Sequence, residues 1–309
     1  MAPQQSHIIA FNTADELSEK PDSKALQHLT QQLAKFAPHD GAFDLAQGLQ
    51  VVRASQPTAD KSYISSLPSL CIVPQGAKAV SFAGNGFEYD ESKMVVYAAE
   101  LPIHIRILRA SAAEPYFCFV IPITPQTLNR VAAKVFPNGV PKANKTRAVY
   151  VGESNPKIIA SASRIMELIT QQEDTDLLVP LVIDEILIRL LRSPHGASIA
   201  QIGVPDSHVD KISKAITFLQ THYTESIKME QLASIAGMST SSFHAHFKDI
   251  TAMSPLQFQK TLRLREARNL IRARSMDISH IAFEVGYVST TQFSREYARE
   301  FGIPPSKDV

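Results

Sequence analysis

The 309-residue sequence has no tryptophan and only two cysteines, Cys71 and Cys118. Two thiols so far apart in sequence cannot form a disulfide framework or a paired-cysteine zinc site, so buried packing is the expected role of both. An excess of charge is lacking too: 31 Lys/Arg stand against 30 Asp/Glu. Whole-chain charge therefore argues neither for nor against nucleic acid. Long hydrophobic runs are missing. The longest candidate, Leu177–Leu191, is broken by Pro180, Asp184, Glu185 and Arg189 and is too short to cross a bilayer. The opening MAPQQSHIIAF has neither the basic start nor the apolar core of a secretory signal. A soluble, cytoplasmic protein without membrane attachment is expected. Apolar residues still make up 44% and charged residues 20%, which excludes a disordered chain and leaves room for two cored domains.

Residues 1–22 are polar and show no pattern. Leu26, Leu29, Leu33 and Phe36 then recur at helical spacing, predicting a helix over 23–36 capped by Asp22 or Ser23. From about 40 to 123 come short runs rich in Val, Ile, Phe and Tyr, at 49–54, 69–76, 77–83, 86–90, 93–99, 101–110 and 116–123. Gly-Asn-Gly at 84–86 is a hairpin signal. Some seven strands at this spacing predict a small antiparallel barrel or sandwich. Helices are expected at 125–136, 156–172 and 177–192. The last is apolar around most of its circumference and must be buried on more than one side, within the domain or against a second subunit. The Gly- and Pro-containing stretch 193–207 reads as a linker between domains 1–192 and 208–309.

Within 101–110, His104, Arg106 and Leu108 share one strand face and Ile103, Ile105 and Ile107 the other. If the polar face points inward, His104 and Arg106, with Tyr97, are candidates to hold an anionic or hydrogen-bonding effector. His104 is the single histidine of the barrel segment, and His244 and His246 point to different faces of a helix. No metal, no cofactor and no catalytic group are expected. The rival reading is a cupin-type small-molecule enzyme or sensor carrying a helical DNA-binding appendage.

Positive charge concentrates locally: residues 244–274 hold seven Lys/Arg against Asp249 and Glu266. Around this run the sequence repeats itself. Residues 231–255, QLASIAGMSTSSFHAHFKDITAMSP, match 280–305, HIAFEVGYVSTTQFSREYAREFGIPP, with Gly237 on Gly286 and, after one added residue near Val288, Ser239 on Ser289, Phe243 on Phe293, Phe247 on Tyr297 and Pro255 on Pro305. Each copy has a short helix, a glycine suited to a left-handed turn, and a serine cap for a second helix. The second helix buries aromatics at i and i+4, leaving a polar face suited to a major groove. The intervening segment opens with Ser254-Pro255 and reads as one long helix, with Leu256, Leu264, Ala267, Leu270 and Ile271 on one side and Phe258 and Leu262 on another. Arg265, Arg268 and Arg272 remain on its surface, available to phosphate or to nearby acidic residues.

Lys211-Ile212, LASIAGMSTSSFHAHFK, Ser254-Pro255, Arg263-Leu264 with Ala267 and Leu270, and IAFEVGYVSTTQFSREYAREFGIPPS together resemble the AraC/XylS family of bacterial transcription regulators. SLCIVPQGAKAVSF (69–82), ELPIHIRILRA and EPYFCFVIPI more loosely resemble one N-terminal effector domain of that family, a cupin-like barrel. The resemblance implies an α+β protein: a cupin-like antiparallel β-barrel with flanking helices, then an all-α domain of two tandem helix-turn-helix units joined by a long helix. It implies recognition helices Ser239–Ile250 and Ser289–Phe301. The implied DNA-facing residues are Ser241, His244 and Ala245, with Lys248 one turn on, and Thr290, Thr291, Ser294 and Arg295. Implied partners are double-stranded promoter DNA, a second copy of the chain, RNA polymerase and a small-molecule effector. Two departures from the family pattern stand out: Ala252 replaces the usual turn glycine, and the chain ends at Val309, earlier than in many members.

Overall fold

The computed structural model describes residues 8–11, 23–58, 62–82, 85–142, 147–172, 174–274 and 276–308. The chain divides into two units, Met1–Asp210 and Lys211–Val309.

In the first unit the apolar runs form two sheets. One has seven strands in the order β1 (Ile8–Phe11), β11 (Val149–Glu153), β8 (Lys93–Tyr97), β5 (Ser69–Gln75), β10 (Tyr116–Pro122), β3 (Gln50–Ala54) and β2 (Gly41–Asp44). The other has four: β4 (Ser62–Ser66), β9 (Leu101–Arg109), β6 (Ala77–Phe82) and β7 (Asn85–Asp90). Pairing is antiparallel except between β1 and β11. All seven expected strands are present. The hairpin glycine Gly84 lies outside the described residues, yet Phe82 pairs with Asn85, so a two-residue connection joins β6 to β7. Strands β1, β2, β4 and β11 were not expected; each is only four or five residues long, too short for alternation to stand out. Asp22, one of the two expected caps, also lies outside the described residues.

Central β5 is buried from Ser69 to Pro74, because it is covered on both faces: α1 (Ser23–Ala34) packs on one, and β7 of the second sheet approaches the other. Behind α1 lie α2 (Pro125–Val135), α3 (Pro156–Gln171) and α4 (Thr175–Leu191). Thr124 and Asn155 cap α2 and α3 through their side chains, and each helix begins with a proline at a position that needs no donor. The apolar girdle of α4 is used mostly within the subunit: Val179, Val182, Ile186, Leu187, Leu190 and Leu191 are buried, and Arg130 of α2 forms a two-pronged ion pair with Asp184. Leu177 and Leu181 stay exposed, at 69% and 62%. None of the described helices is long and apolar enough to cross a membrane.

Residues 193–207, read from the sequence as the linker, fall within the first unit. They include α5 (Gly196–Ala200), and Ile199, Ala200 and Ile202 are buried. The glycines there serve close approach: a Cβ on Gly203 would lie 2.7 Å from the backbone nitrogen of Asn129 in α2. The boundary between the units falls in the first turn of α6 (His208–Thr221).

The second unit continues with α7 (Met229–Ile235), α8 (Thr240–Thr251), α9 (Pro255–Arg272), α10 (Ile278–Glu284) and α11 (Thr290–Phe301). A capping box between Ser254 and Gln257 starts α9. This helix is shared by two small cores. Phe258 meets Phe247 edge-on at 5.5 Å, while Leu264, Ala267 and Ile271 pack with Ile281, Ala282, Val285, Phe293 and Tyr297. Leu256, expected on the buried side with Leu264, Ala267, Leu270 and Ile271, is 68% exposed: it sits in the first turn of α9, whereas the α9 residues of the second core begin at Leu264.

Candidate nucleic-acid interface

The two turns of the repeat are closed by the same bonds. Gly237 N–H donates to Ser234 O at 3.0 Å and Met238 N–H to Ala233 O at 2.9 Å; in the second copy Gly286 donates to Phe283 O and Tyr287 to Ala282 O, both at 2.9 Å. Both glycines are left-handed, at φ 59° and 87°, the conformation that ends a helix with least strain. Gly286 is required twice over, since a Cβ there would lie 2.2 Å from the carbonyl oxygen of Thr224. The added residue of the second copy, Val288, falls in the turn and is 92% exposed. The Ser239 and Ser289 hydroxyls then accept from the amides of Ser242 and Gln292, each at 3.3 Å, and start α8 and α11.

Phe243 and Phe247 hold α8 to its core, and Phe293 and Tyr297 hold α11; all four are fully buried. The opposite faces therefore point to solvent. On α8, Ser241, His244, Ala245 and Lys248 are all exposed; on α11, Thr291 and Arg295 are exposed and Thr290 and Ser294 half-buried. Each protruding helix thus presents small hydrogen-bonding groups and one long cation. That is the chemistry by which base edges are read in a major groove.

Two of the three arginines expected on the surface of α9 are engaged elsewhere. Arg268 is buried, its Nε donating to Asp308 Oδ2 at 2.7 Å and its guanidinium lying 4.6 Å from the centre of the Phe301 ring. Arg272 donates to Asp308 Oδ1 at 3.0 Å and the Tyr297 hydroxyl to Oδ2 at 2.9 Å. A single helical turn at Pro305–Lys307 brings Asp308 back to these partners, so of the two roles left open for Arg268 and Arg272, the acidic partner is the one filled. Burial alone would raise the Asp308 carboxyl, but the hydrogen bonds from Arg268, Tyr297 and Arg272 outweigh it and hold it below the ordinary carboxylate value.

Gln259 and Arg263 lie one turn apart on α9; the sequence assigned no role to either, Arg263 entering only through the family resemblance. Arg263 donates to the carbonyls of Tyr223 (2.6 Å), Thr224 (3.2 Å) and Glu225 (2.9 Å) ahead of the first helix-turn-helix, and to Gly286 O (2.8 Å) in the turn of the second. Gln259 adds bonds to Tyr223 O and Glu225 O at 3.0 and 2.8 Å. Arg263 thus ties the segment ahead of the first helix-turn-helix to the turn of the second, and Gln259 reinforces its hold on the former. Nothing local in the sequence reveals this, because the acceptors are backbone carbonyls distant in the chain.

The three barrel residues are not brought together. Tyr97 points into the interior and is buried. Ile103 and Ile107 carry the buried face of β9, so Arg106 is exposed on the outer face and His104 is half-buried on it. The interior beside Tyr97 holds Lys78, Tyr89, Tyr116, Cys71 and Cys118, all buried. Lys78 was legible in principle, as a lysine in register with Val80 and Phe82 on the apolar face of β6.

Residues 46–198 match the family model of the AraC-type transcriptional regulator N-terminus, and residues 232–308 match that of a helix-turn-helix domain. The chain belongs to the AraC family. It is 32% identical over 101 residues to the HTH-type transcriptional activator RhaS of Escherichia fergusonii, covering 32% of this chain and 36% of that protein. It is 26% identical over 156 residues to the HTH-type transcriptional regulator ExsA of Pseudomonas aeruginosa, covering 50% and 55%. The chain thus spans about half or less of the length of these curated relatives. Its fold is similar to that of ToxT from Vibrio cholerae, with a TM-score of 0.52 and 13% identity over 84% of this chain and 96% of that one. In this AraC-family chain the eight predicted DNA-facing residues all fall within the helix-turn-helix match. Ala252 takes the left-handed conformation, φ 58°, that a glycine usually supplies, a strain of about 1 kcal/mol.

Proposed function

We propose that the protein is a sequence-specific regulator of transcription that binds double-stranded promoter DNA through α8 and α11, one helix in each of two successive major grooves. The observation that carries this reading is the identical construction of the two turns, each presenting an exposed polar helix face from a shared α9. The first unit is the effector-sensing part and the site of homodimerisation, and the effector acts by biasing how the second units engage DNA. RNA polymerase is the further partner, the protein works in the cytoplasm, and it carries out no catalytic step of its own.

DNA-segment capture from the source genome followed by footprinting tests the reading. Each monomer should protect an asymmetric site of two boxes centred about 10 base pairs apart. A single box per monomer, or boxes half a turn apart, would refute the tandem arrangement.

A further inference from the structure

Val288 is the residue that the second helix-turn-helix adds to the pattern of the first. It is also the most exposed of the large apolar residues described, at 92% against 69% for Leu177, the next. Single exposed apolar residues are ordinary on protein surfaces, so exposure alone assigns nothing. Its place in the fold does. Val288 directly precedes Ser289, the cap of α11, at the end of a recognition helix whose residues meet base edges.

The chain on either side of Val288 is fixed. The Tyr287 amide donates to Ala282 O at 2.9 Å, its ring meets that of Phe293 edge-on at 5.3 Å, and its hydroxyl donates to Glu296 Oε2 at 2.9 Å. On the other side, Ser289 Oγ accepts from the Gln292 amide at 3.3 Å. A β-branched side chain held between two anchored residues has little freedom to lose on binding. Towards the first repeat, Val288 borders an open groove of about 280 Å³ that it shares with Leu256 and Lys260 of α9 and Gln292 of α11.

The chemistry of the position separates it from its neighbours on α11. Thr290, Thr291, Ser294 and Arg295 offer hydrogen bonds, whereas Val288 offers only methyl groups. Base pairs present donors and acceptors in the major groove with one apolar exception, the C5-methyl group of thymine. A phosphate oxygen gains nothing from a valine, but two methyl surfaces in contact are both removed from water. We infer that Val288 is a specificity-determining residue that packs on the C5-methyl group of a thymine, at the end of the second box nearer the first. That end follows from the groove, which lies on the side of Val288 facing α9. The inference rests on the two-groove reading and adds to it a base contact made without a hydrogen bond.

Uracil lacks only this methyl group and keeps every hydrogen-bonding edge of thymine, so it isolates the contact. The footprinted duplex would be prepared with each thymine of the second box replaced singly by uracil, and each duplex titrated with the full chain. At one position, at the end nearer the first box, uracil should weaken binding about fourfold, the worth of one buried methyl group. Val288→Ala should bring that ratio towards one, and Val288→Asn, polar at similar volume, should abolish it. Arg295→Ala should keep it, because that side chain reads a different base pair. The Val288 side chain is exposed, so both of its variants should retain the circular dichroism spectrum of the wild type. Absence of a uracil-sensitive thymine at that end of the box, or the same ratio in folded Val288→Ala and Val288→Asn, would overturn the assignment. It is equally overturned if these variants lose transcription activation in a purified system while the binding pattern with uracil is unchanged, since Val288 then docks a protein such as RNA polymerase. The two readings fail in different ways. Two protected boxes without a uracil effect keep the two-groove reading and remove Val288 as a base reader, whereas absence of the tandem boxes overturns both.

Discussion

Arg295 and Asp308 show how differently two charged residues of one helical domain can act. Arg295 extends into solvent from α11, so its replacement leaves the core untouched. Arg295→Ala should cost about 1–3 kcal/mol of DNA affinity and relax preference at one base pair, a guanine being expected. Competition between cognate and scrambled duplexes checks this; an equal loss on both would remove Arg295 as a base reader. Asp308 is buried beneath Arg268, Arg272 and Tyr297. Asp308→Asn leaves two cations facing a neutral group and should destabilise the domain by about 3 kcal/mol, with the salt dependence of DNA binding unchanged because no phosphate contact is lost. The sign with pH follows from the direction of its shift. A carboxyl held below 3.8 in the folded state contributes stability that is fully present at neutral pH and disappears as pH falls through the folded value. Urea midpoints of the wild type should therefore drop in acid more steeply than those of Asp308→Asn, and parallel curves would contradict the assignment.

At the scale of elements, α4 carries the test of dimerisation. Leu187 and Leu191 are 1% exposed inside the subunit, so charge at Leu187 should unfold the first unit. Leu177 and Leu181, one turn apart on the outer face of α4, remain. The double change Leu177→Glu, Leu181→Glu should keep the circular dichroism spectrum and convert a dimer into a monomer during sedimentation; a folded variant that still dimerises would move the interface elsewhere. The same helix shows what could be read in advance. Its length and all-round apolarity were plain in the sequence, but periodicity reports that a face is buried, not what buries it. The repeated turn was fully legible, because a glycine, a serine and two aromatics at fixed spacing are each demanded by local geometry. Strands β1, β2, β4 and β11 were not, since four or five residues leave alternation without statistical weight. The inward side of β9 was undecidable from the strand alone, where polar and apolar residues alternate with equal regularity, so Arg106 could be named only on the condition that the polar face points inward.

For the whole molecule, near-neutral net charge means that attraction to DNA depends on the local surface of the second unit. Joining two such units through a dimer makes the second binding event effectively intramolecular. Within each unit, the Arg263 guanidinium holds the carbonyls ahead of one helix-turn-helix and the turn of the other. Such a brace fixes the angular phase at which two grooves can be read. One base pair inserted between the boxes rotates them by about 34–36°, more than a braced reader can absorb. On the proposed two-groove reading the protein would act as a gauge of torsion: a site out of phase on relaxed DNA would be brought into phase by under- or overwinding, so promoter occupancy would track the superhelical state of the template as well as its base sequence.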